Sequence, residues 1–254
     1  MKTNKLVFIT GATAGIGQAT AFKLAGENFN LIIAGRRNDR LKELEQKIKK
    51  KFSCQVTTLC FDIRSQEETE QAWNSLDSQL QNIDVLINNA GLAAGLDYIQ
   101  DGNLDDWNQM IDTNIKGILN ISRLIMPKMV EKKSGHIINI GSIAGKETYE
   151  KGGVYCATKH AVEAISQGMR IDLLPYGIKV TNVCPGMVET EFSLVRFKGD
   201  KEKAKNVYNG LIPLHAEDIA ETIWFVLSRP AHVCINDILV MPTAQASATY
   251  VTRK

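Results

Sequence analysis

The chain has 254 residues, of which 44% are hydrophobic and 23% charged, and its formal net charge is +2. This composition excludes a disordered, collagen-like or low-complexity protein, and the small net charge provides no basic field for binding nucleic acid or an anionic membrane. The sequence contains no run of 18 or more apolar residues, so no transmembrane helix is predicted. The apolar run behind the basic first residues spans only 6–9, too short for a signal peptide, and we expect a cytoplasmic protein.

Short apolar segments alternate with amphipathic segments along the chain. The segments predicted to be strands are 5–9, 30–34, 55–61, 83–87, 135–140, 179–183 and 238–241. The segments predicted to be helices are 16–27, 39–51, one beginning at residue 65, 104–113, 115–132 and 153–174. Glu68 follows Ser65 by three residues, a spacing that predicts a capping box at the start of that helix.

This alternation predicts an α/β fold: a doubly wound, parallel, seven-stranded sheet of the Rossmann type with helices on both faces. We find no repeat and no linker, so a single domain over 1–254 is expected, with ligands at the carboxyl ends of the strands. The charged, mixed segment 189–213 precedes the last predicted strand. We call it the lid and expect it to be a mobile cover over the substrate with one short helix.

Cysteine and histidine spacing predicts neither disulfides nor a metal site. The five cysteines form no C-x-x-C pair, and the four histidines form no H-x-x-x-H pattern. An odd number of unpaired thiols is typical of a reducing compartment, and the spacing rules for zinc ligands are not met. We therefore expect no metal ion.

A glycine-rich turn follows the first predicted strand. Glycine permits a tight turn and the close approach of backbone to a pyrophosphate, and the helix that follows offers free N–H groups to an anion. The spacing G-x-x-x-G-x-G differs from the commoner G-x-G-x-x-G, and the alternative is an ordinary glycine-rich turn. The position after strand one favours a dinucleotide site. Its candidate residues are Gly11, Thr13, Gly15, Ile16 and Gly17.

Further motifs follow the later predicted strands and occur in the predicted helices. They are Asn88-Asn89-Ala90-Gly91 after the fourth strand, Asn114 in Asp112-Thr113-Asn114, Ser142 after the fifth strand, Tyr155 and Lys159 in a Y-x-x-x-K pattern, and Pro185-Gly186 after the sixth strand. With these motifs in this order, the chain resembles the classical short-chain dehydrogenases/reductases. The resemblance implies a Rossmann-type fold and an enzyme that transfers a hydride to or from a nicotinamide cofactor.

The residues themselves support carbonyl chemistry. Reduction of a carbonyl needs a hydride, which no side chain carries, and an acid beside the substrate oxygen. Tyr155 and Lys159 lie one helical turn apart and share a face. Lowering the pKa of a tyrosine from ~10 by about three units corresponds to ~4 kcal/mol, and Lys159 and the oxidised nicotinamide ring are the expected sources. We predict Tyr155 as proton donor and Ser142 as hydrogen-bond partner of the substrate oxygen.

Other roles come from the resemblance alone. It implies that Asn114 holds a water that relays protons from Lys159, and that Lys159 binds the nicotinamide ribose. It also implies that Asp62 meets the adenine amino group, that Ile63 packs on the adenine ring and that Asn89 lies beside the adenosine ribose. The remaining cofactor contacts that it implies are Gly91, Pro185, Gly186, Val188 and Thr190.

The residues after the second strand favour NADP(H). An acid there would bind the ribose hydroxyls and reject a 2′-phosphate, but positions 34–37 hold no acid and include Arg36 and Arg37. Guanidinium groups match the geometry of phosphate. The alternative is two solvated arginines, and Asp39 lies past the expected position of the acid.

The segments 110–114, 190–200 and 230–233 resemble a narrower subgroup, the NADP-dependent 3-hydroxy acid dehydrogenases. This resemblance implies oxidation of the β-hydroxyl of serine, L-allo-threonine or 3-hydroxypropionate, or reduction of malonic semialdehyde. A substrate carboxylate needs a cation, and Arg196 and Lys198 in the lid are the candidates. The alternative is that both are solvated lid charges.

Two other functions stay open: a reductase of the same fold for a bulkier ketone, sugar or acyl thioester, and a non-catalytic nucleotide-binding regulator. An intact Ser142, Tyr155 and Lys159 argue against the regulator. The resemblance also implies a homotetramer in which the helices before strands five and six pack against their counterparts. The tail 241–247 is expected to lie on a partner subunit or to be frayed.

Overall fold

One parallel sheet organises the chain. A computed structural model describes residues 5–254, so the first four residues of the predicted domain and of the basic N-terminal segment lie outside it. The strand order is β3-β2-β1-β4-β5-β6-β7, and each neighbouring pair is parallel. The strands are β1 (Leu6–Thr10), β2 (Asn30–Gly35), β3 (Val56–Cys60), β4 (Val85–Asn88), β5 (His136–Ile140), β6 (Lys179–Pro185) and β7 (Asp237–Val240). The predicted doubly wound α/β fold is confirmed.

Helices cover both faces of the sheet. They are α1 (Gly15–Gly26), α2 (Asn38–Lys51), α3 (Gln66–Asn74), α4 (Leu104–Ile111), α5 (Gly117–Lys132), α6 (Gly153–Leu173), α7 (Phe192–Arg196), α8 (Lys201–Asn206) and α9 (Ala216–Leu227). In α2 the apolar residues recur every three to four positions, so Leu41, Leu44 and Ile48 are buried while lysines and glutamates face solvent.

The side chains of successive residues in the central strands point alternately into two hydrophobic cores, one on each face of the sheet. Phe8 and Leu86 pack on one face with Ile121 of α5, whereas Val7 and Ile87 pack on the other face among residues of α1, α2 and α9. Both faces of the strands are therefore apolar, as a parallel sheet between two helical layers requires. Each fully buried aliphatic side chain contributes about 1.5–3 kcal/mol to stability.

Two helical segments differ from their predictions. The predicted helices over 104–113 and 115–132 are joined by a π-helical turn, Asp112–Lys116, so that the backbone continues without a break between α4 and α5. The capping box at Ser65 is only half formed. The Ser65 hydroxyl accepts the Glu68 N–H at 3.1 Å, but the Glu68 carboxylate accepts the Asp62 N–H at 2.9 Å. The Ser65 N–H is already used, because it donates to the Asp62 carbonyl at 3.0 Å.

The region after β6 holds the largest differences. The lid contains two short helices, α7 and α8, where one was predicted, and α9, which buries Ile219 and Ile223, was not predicted. In the structure the segment 241–254, called the tail from here on, packs on its own chain and is not frayed. Contact of the tail with a partner subunit stays a prediction. The Gln245 side chain accepts the Met187 N–H at 2.8 Å, and the Lys254 N–H donates to the Gly210 carbonyl at 2.8 Å. The tail therefore packs on the lid.

Within residues 5–254, no helix combines the length and the apolar character needed to cross a membrane.

Candidate functional site

A cleft of about 770 Å³ opens at the carboxyl ends of the strands, where a doubly wound sheet binds its ligands. It brings together nearly all of the candidate residues from distant parts of the chain. Those that line it are Gly11, Thr13, Gly15, Ile16, Arg36, Arg37, Asp62, Ile63, Asn89, Gly91, Ser142, Tyr155, Lys159, Pro185, Gly186, Val188, Thr190 and Arg196. Gly17, Asn114 and Lys198 lie outside this lining.

The glycine turn fits a pyrophosphate. Gly11 and Gly15 have φ values of +66° and +54°, which a side chain would strain. A Cβ at Gly11 would also lie 2.8 Å from the Ala90 Cα. The helix α1 begins at Gly15, and Ala14 before it offers no side-chain cap, so the first N–H groups of α1 remain for an anion. Gly17 instead lets α1 pack tightly against the Gly11 carbonyl and the Asn89 side chain.

Arg37 is fixed at the edge of the cleft. Its Nε and Nη2 donate to the Thr13 hydroxyl at 3.2 and 2.8 Å, and its Nη1 donates to the Glu191 carboxylate at 3.0 Å. The Arg36 guanidinium is more exposed and lies 3.8 Å from the Asp62 carboxylate. Two guanidinium groups thus stand beside the glycine turn, a donor set that suits a phosphate.

Asp62 and Ile63 follow β3 on the same side of the cleft. Burial acts to raise the pKa of Asp62, but hydrogen bonds from Arg64 outweigh it and keep this pKa below its usual value. Arg64 Nε donates to both Asp62 oxygens, at 3.0 and 2.9 Å. Asp62 is therefore a charged carboxylate at neutral pH.

Ser142, Tyr155 and Lys159 are brought together although they come from two elements. Ser142 follows β5 and its hydroxyl accepts the Ala144 N–H at 3.1 Å, whereas Tyr155 and Lys159 stand one turn apart on α6. All three are more than nine-tenths buried. The Lys159 Nζ donates to the Ile140 carbonyl at 2.8 Å.

The pKa of Tyr155 differs from its prediction. Burial raises the pKa of the phenol well above 10, and the nearby Tyr149 raises it further, while Ser142 and Arg196 partly offset these effects. Among the chain's own groups Lys159 does not contribute to this shift, and its effect on the pKa of Tyr155 beside a bound nicotinamide stays a prediction. Burial lowers the pKa of Lys159 to about 8, and its amine is directed at a backbone carbonyl. Burial thus disfavours the charged form of each side chain, although Lys159, with a pKa of about 8, is still mostly protonated at neutral pH.

Asn114 lies in the π-helical turn behind the cleft. Its Nδ2 donates to the Leu92 carbonyl at 2.8 Å and to the Thr158 hydroxyl at 3.0 Å, and its Oδ1 accepts the Leu92 N–H at 2.9 Å. A Cβ at Gly91 would lie 3.3 Å from Asn114 Oδ1 and 3.7 Å from Lys159 Nζ. The side chain of Asn114 therefore ties the loop after β4 to α6, close to Lys159.

The structure separates the two candidate lid cations. The Arg196 guanidinium lies over the rings of Tyr149 and Tyr155, 5.5 and 5.6 Å from their centroids. The Lys198 ammonium instead pairs with Asp106 at 2.8 Å, on the outside of the lid. Arg196 is the one of the two that faces the buried phenol.

Several cleft residues were missed by the sequence analysis. Tyr149 lies beside Arg196, the Phe192 ring packs edge-on to Tyr155 at 5.7 Å, and Glu191 binds Arg37. Ala248 and Thr249 in the tail also line the cleft. These positions carry no motif, because tertiary packing of the lid and the tail brings them to the site.

Comparisons with known proteins agree with this geometry. Residues 5–200 match the family model described as short chain dehydrogenase. An NADP-dependent 3-hydroxy acid dehydrogenase of Schizosaccharomyces pombe is 44% identical over 98% of this chain and 97% of that protein. A sulfoacetaldehyde reductase of Chromohalobacter salexigens is 41% identical over 96% of this chain and 97% of its own length.

A solved structure has the same fold throughout. The closed form of a serine dehydrogenase complexed with NADP⁺ superposes with a TM-score of 0.92 at 41% identity, covering 98% of this chain and 99% of that one. The prediction of NADP(H) is confirmed, as is that of an oxidoreductase acting on CH–OH groups. The glycine turn, the buried Ser142, Tyr155 and Lys159, and these similarities have one explanation: the chain belongs to the short-chain dehydrogenase family.

Proposed function

We propose that the protein oxidises the β-hydroxyl of small 3-hydroxy acids with NADP⁺ and catalyses the reverse reduction. The observation that carries this proposal is the position of Arg196, whose guanidinium lies over the ring of the buried Tyr155. When the hydroxyl of a small 3-hydroxy acid reaches Tyr155, its carboxylate is only a few bonds away and can pair with the Arg196 guanidinium. The names of the similar 3-hydroxy acid and serine dehydrogenases support the same substrate class.

The proposed roles of the buried residues follow from their chemistry. The nicotinamide, when bound, supplies or accepts the hydride. Tyr155 exchanges a proton with the substrate oxygen, and Ser142 holds that oxygen by a hydrogen bond. Lys159 exchanges protons behind Tyr155 and binds the nicotinamide ribose, with Asn114 holding a relay water. Phe192 and the lid exclude water from the reacting atoms.

The cofactor residues divide by the part of the molecule that they hold. The turn at Gly11, Gly15 and Ile16 binds the pyrophosphate, with Gly17 as the packing glycine. Arg36, Arg37 and Thr13 hold the 2′-phosphate. Asp62, Ile63 and Asn89 hold the adenosine. Gly91, Pro185, Gly186, Val188 and Thr190 complete the nicotinamide end of the cleft.

We also propose a homotetramer in the cytoplasm. Apolar side chains that a monomer leaves in water support the assembly: Ile171 and Leu174, at the end of α6, are 72% and 73% exposed, and Leu119 of α5 is 45% exposed. Cysteines that remain free support a reducing compartment.

A second candidate substrate class is a small hydroxy-sulfonate. The 41% identical sulfoacetaldehyde reductase favours it, because a sulfonate would place one negative charge against Arg196 as a carboxylate does. The two classes differ in the shape of the anion, so kinetics distinguish them.

Side-by-side kinetics test the proposal. NADP⁺ reduction is measured with L-serine, D-serine, L-allo-threonine, 3-hydroxypropionate and 2-hydroxyethanesulfonate. We expect the highest kcat/KM with a 3-hydroxy acid. A higher value with the sulfonate would move the assignment to the second class. If none of these hydroxy compounds reduces NADP⁺, both classes are refuted, whether or not bulky neutral ketones oxidise NADPH.

A further inference from the structure

Glu191, at the base of the lid, contacts two arginines from the opposite wall of the cleft. Its carboxylate accepts from Arg37 Nη1 at 3.0 Å and from Arg40 Nη1 at 2.7 and 2.9 Å. Burial acts to raise the pKa of Glu191, but the hydrogen bonds from Arg37 and Arg40 outweigh it and lower this pKa, so the carboxylate is charged at neutral pH. The contact joins the segment after β6 to the start of α2.

Glu191 and Thr13 together fix the orientation of Arg37. The guanidinium has five N–H groups. Two of them donate to the Thr13 hydroxyl and one to Glu191, so its plane is held from two sides. Two N–H groups remain for an anion, the number that a bidentate phosphate contact uses.

Arg40 has a different part in the cluster. It stands on α2, and it binds both oxygens of Glu191. Arg37 and Glu191 line the cleft, whereas Arg40 lies behind Glu191 and offsets its charge. With the two arginines, the three groups carry one net positive charge, which favours a dianionic phosphate over a neutral ribose.

We propose that Glu191 is a positioning residue for recognition of the coenzyme 2′-phosphate: it holds Arg37 in its phosphate-binding orientation and is itself braced by Arg40. This inference rests on the proposed role of Arg37 and deepens it. It assigns a coenzyme-selecting role to the lid. The roles proposed above for lid residues are confined to the nicotinamide and substrate ends of the cleft. The lid therefore contacts the adenosine end through Glu191 and the substrate end through Arg196.

Calorimetric binding of two adenosine ligands tests the proposal without turnover. Adenosine 2′,5′-bisphosphate carries the phosphate in question, and adenosine 5′-monophosphate lacks it. In Glu191→Gln, which keeps the size of the side chain, we expect Kd for the bisphosphate to rise about two- to fivefold, the range of a half-exposed ion pair, and Kd for the monophosphate to stay unchanged. Glu202→Gln, an exposed lid acid on α8, is the matched control and leaves both unchanged.

The double variant tests the bracing by Arg40. Arg40→Gln alone should raise Kd for the bisphosphate. Adding it to Glu191→Gln should not raise this Kd further, because Arg40 acts through Glu191. Tighter bisphosphate binding in Glu191→Gln would mean that the carboxylate competes with the phosphate, and would overturn the proposal. An equal loss for both ligands, or no loss, would also overturn it.

A separate variant distinguishes failure of this inference from failure of the assignment beneath it. Arg37→Gln should raise Kd for the bisphosphate more than Glu191→Gln does. If Arg37→Gln leaves bisphosphate binding unchanged, Arg37 is not the phosphate cation, and both assignments fail. If only Glu191→Gln is without effect, the role of Arg37 stands and that of Glu191 does not.

Discussion

Burial shifts Tyr155 and Lys159 in opposite directions. It raises the pKa of the phenol and lowers that of the amine to about 8, so both residues are held towards neutrality. A neutral phenol is a proton donor ready for a developing alkoxide, and the ammonium of Lys159, which dominates at neutral pH, can return a proton to the phenolate.

Replacing Tyr155 by Phe removes the proposed proton donor while keeping most of its volume. We expect kcat to fall by about 10²–10⁴, the usual contribution of a positioned general acid. The affinity for NADPH, measured by fluorescence titration, should change little, because the ring itself is retained. Near-normal turnover in this variant would end the assignment.

The pH dependence of alcohol oxidation reports the same pair. Oxidation requires the protein to accept the proton of the alcohol, so the pair must first have lost one. We expect kcat/KM for 3-hydroxypropionate to rise with pH, to reach half of its maximum near pH 8, where Lys159 loses its proton, and to level off above that pH. A profile that is flat from pH 6 to 9 would contradict this role for Lys159.

Arg196 and Lys198 form a matched pair of lid cations. Arg196→Ala should raise KM for 3-hydroxypropionate by about tenfold or more, because it removes the charge that faces Tyr155. Lys198→Ala removes an exposed charge paired with Asp106 and should leave KM within about twofold. Steady-state kinetics of the two variants decide the matter, and an equal effect of both would remove the role of Arg196.

At the scale of elements, α3 connects local capping to the adenosine side of the cleft. The Ser65 hydroxyl caps the helix, while the Glu68 carboxylate holds the N–H of Asp62. Glu68 therefore contributes to the stability of the helix through its N–H and to the position of Asp62 through its carboxylate.

Removal of this cap has a measurable cost. Ser65→Ala should lower the free energy of unfolding by about 1 kcal/mol, seen as an earlier midpoint in urea. Ser75→Ala, at the other end of α3, removes a hydroxyl that only donates to the exposed Ala72 carbonyl, and should change the midpoint much less. Equal shifts for the two variants would show that the cap is not the stabilising contact.

Most strands and helices with a clear apolar pattern were predicted from the sequence, but α9 was missed although Ile219, Ile223 and Val226 recur in it at helical spacing. Both faces of β1 and β4 are buried, so these strands appear as continuous apolar runs. The π-helical turn Asp112–Lys116 carries the same residue types as an α-helix, so no sequence pattern separates the two. The motifs predicted which residues the fold brings together in the cleft, but the pKa of Tyr155 depends on burial, which spacing does not reveal.

At the scale of the whole molecule, long-range packing closes the cleft. The lid and the tail bind each other through Arg253, which donates to the Val207 carbonyl at 3.1 Å, and through the Lys254 N–H. Such contacts join residues more than 40 positions apart through hydrogen bonds to backbone carbonyls. They leave no periodic signal, so the sequence alone does not predict that the tail packs on the lid.

The proposed assembly is tested by light scattering. Four chains of 28.1 kDa give about 112 kDa, and the exposed Ile171 and Leu174 predict that this species dominates. Ile171→Lys should lower the mass, since it places a charge in the expected interface. A mass of 28.1 kDa for the unaltered protein would exclude the tetramer.

The substrate class is the centre of the account, and two substrates that differ only in their charged end test it directly. The measurement is kcat/KM for NADP⁺ reduction by 3-hydroxypropionate and by 1-propanol with the unaltered enzyme. We predict a preference of about 30-fold or more for the acid, the range for a charge paired with a desolvated guanidinium. Equal values for the two alcohols would contradict the proposal that this cleft binds a small hydroxy acid.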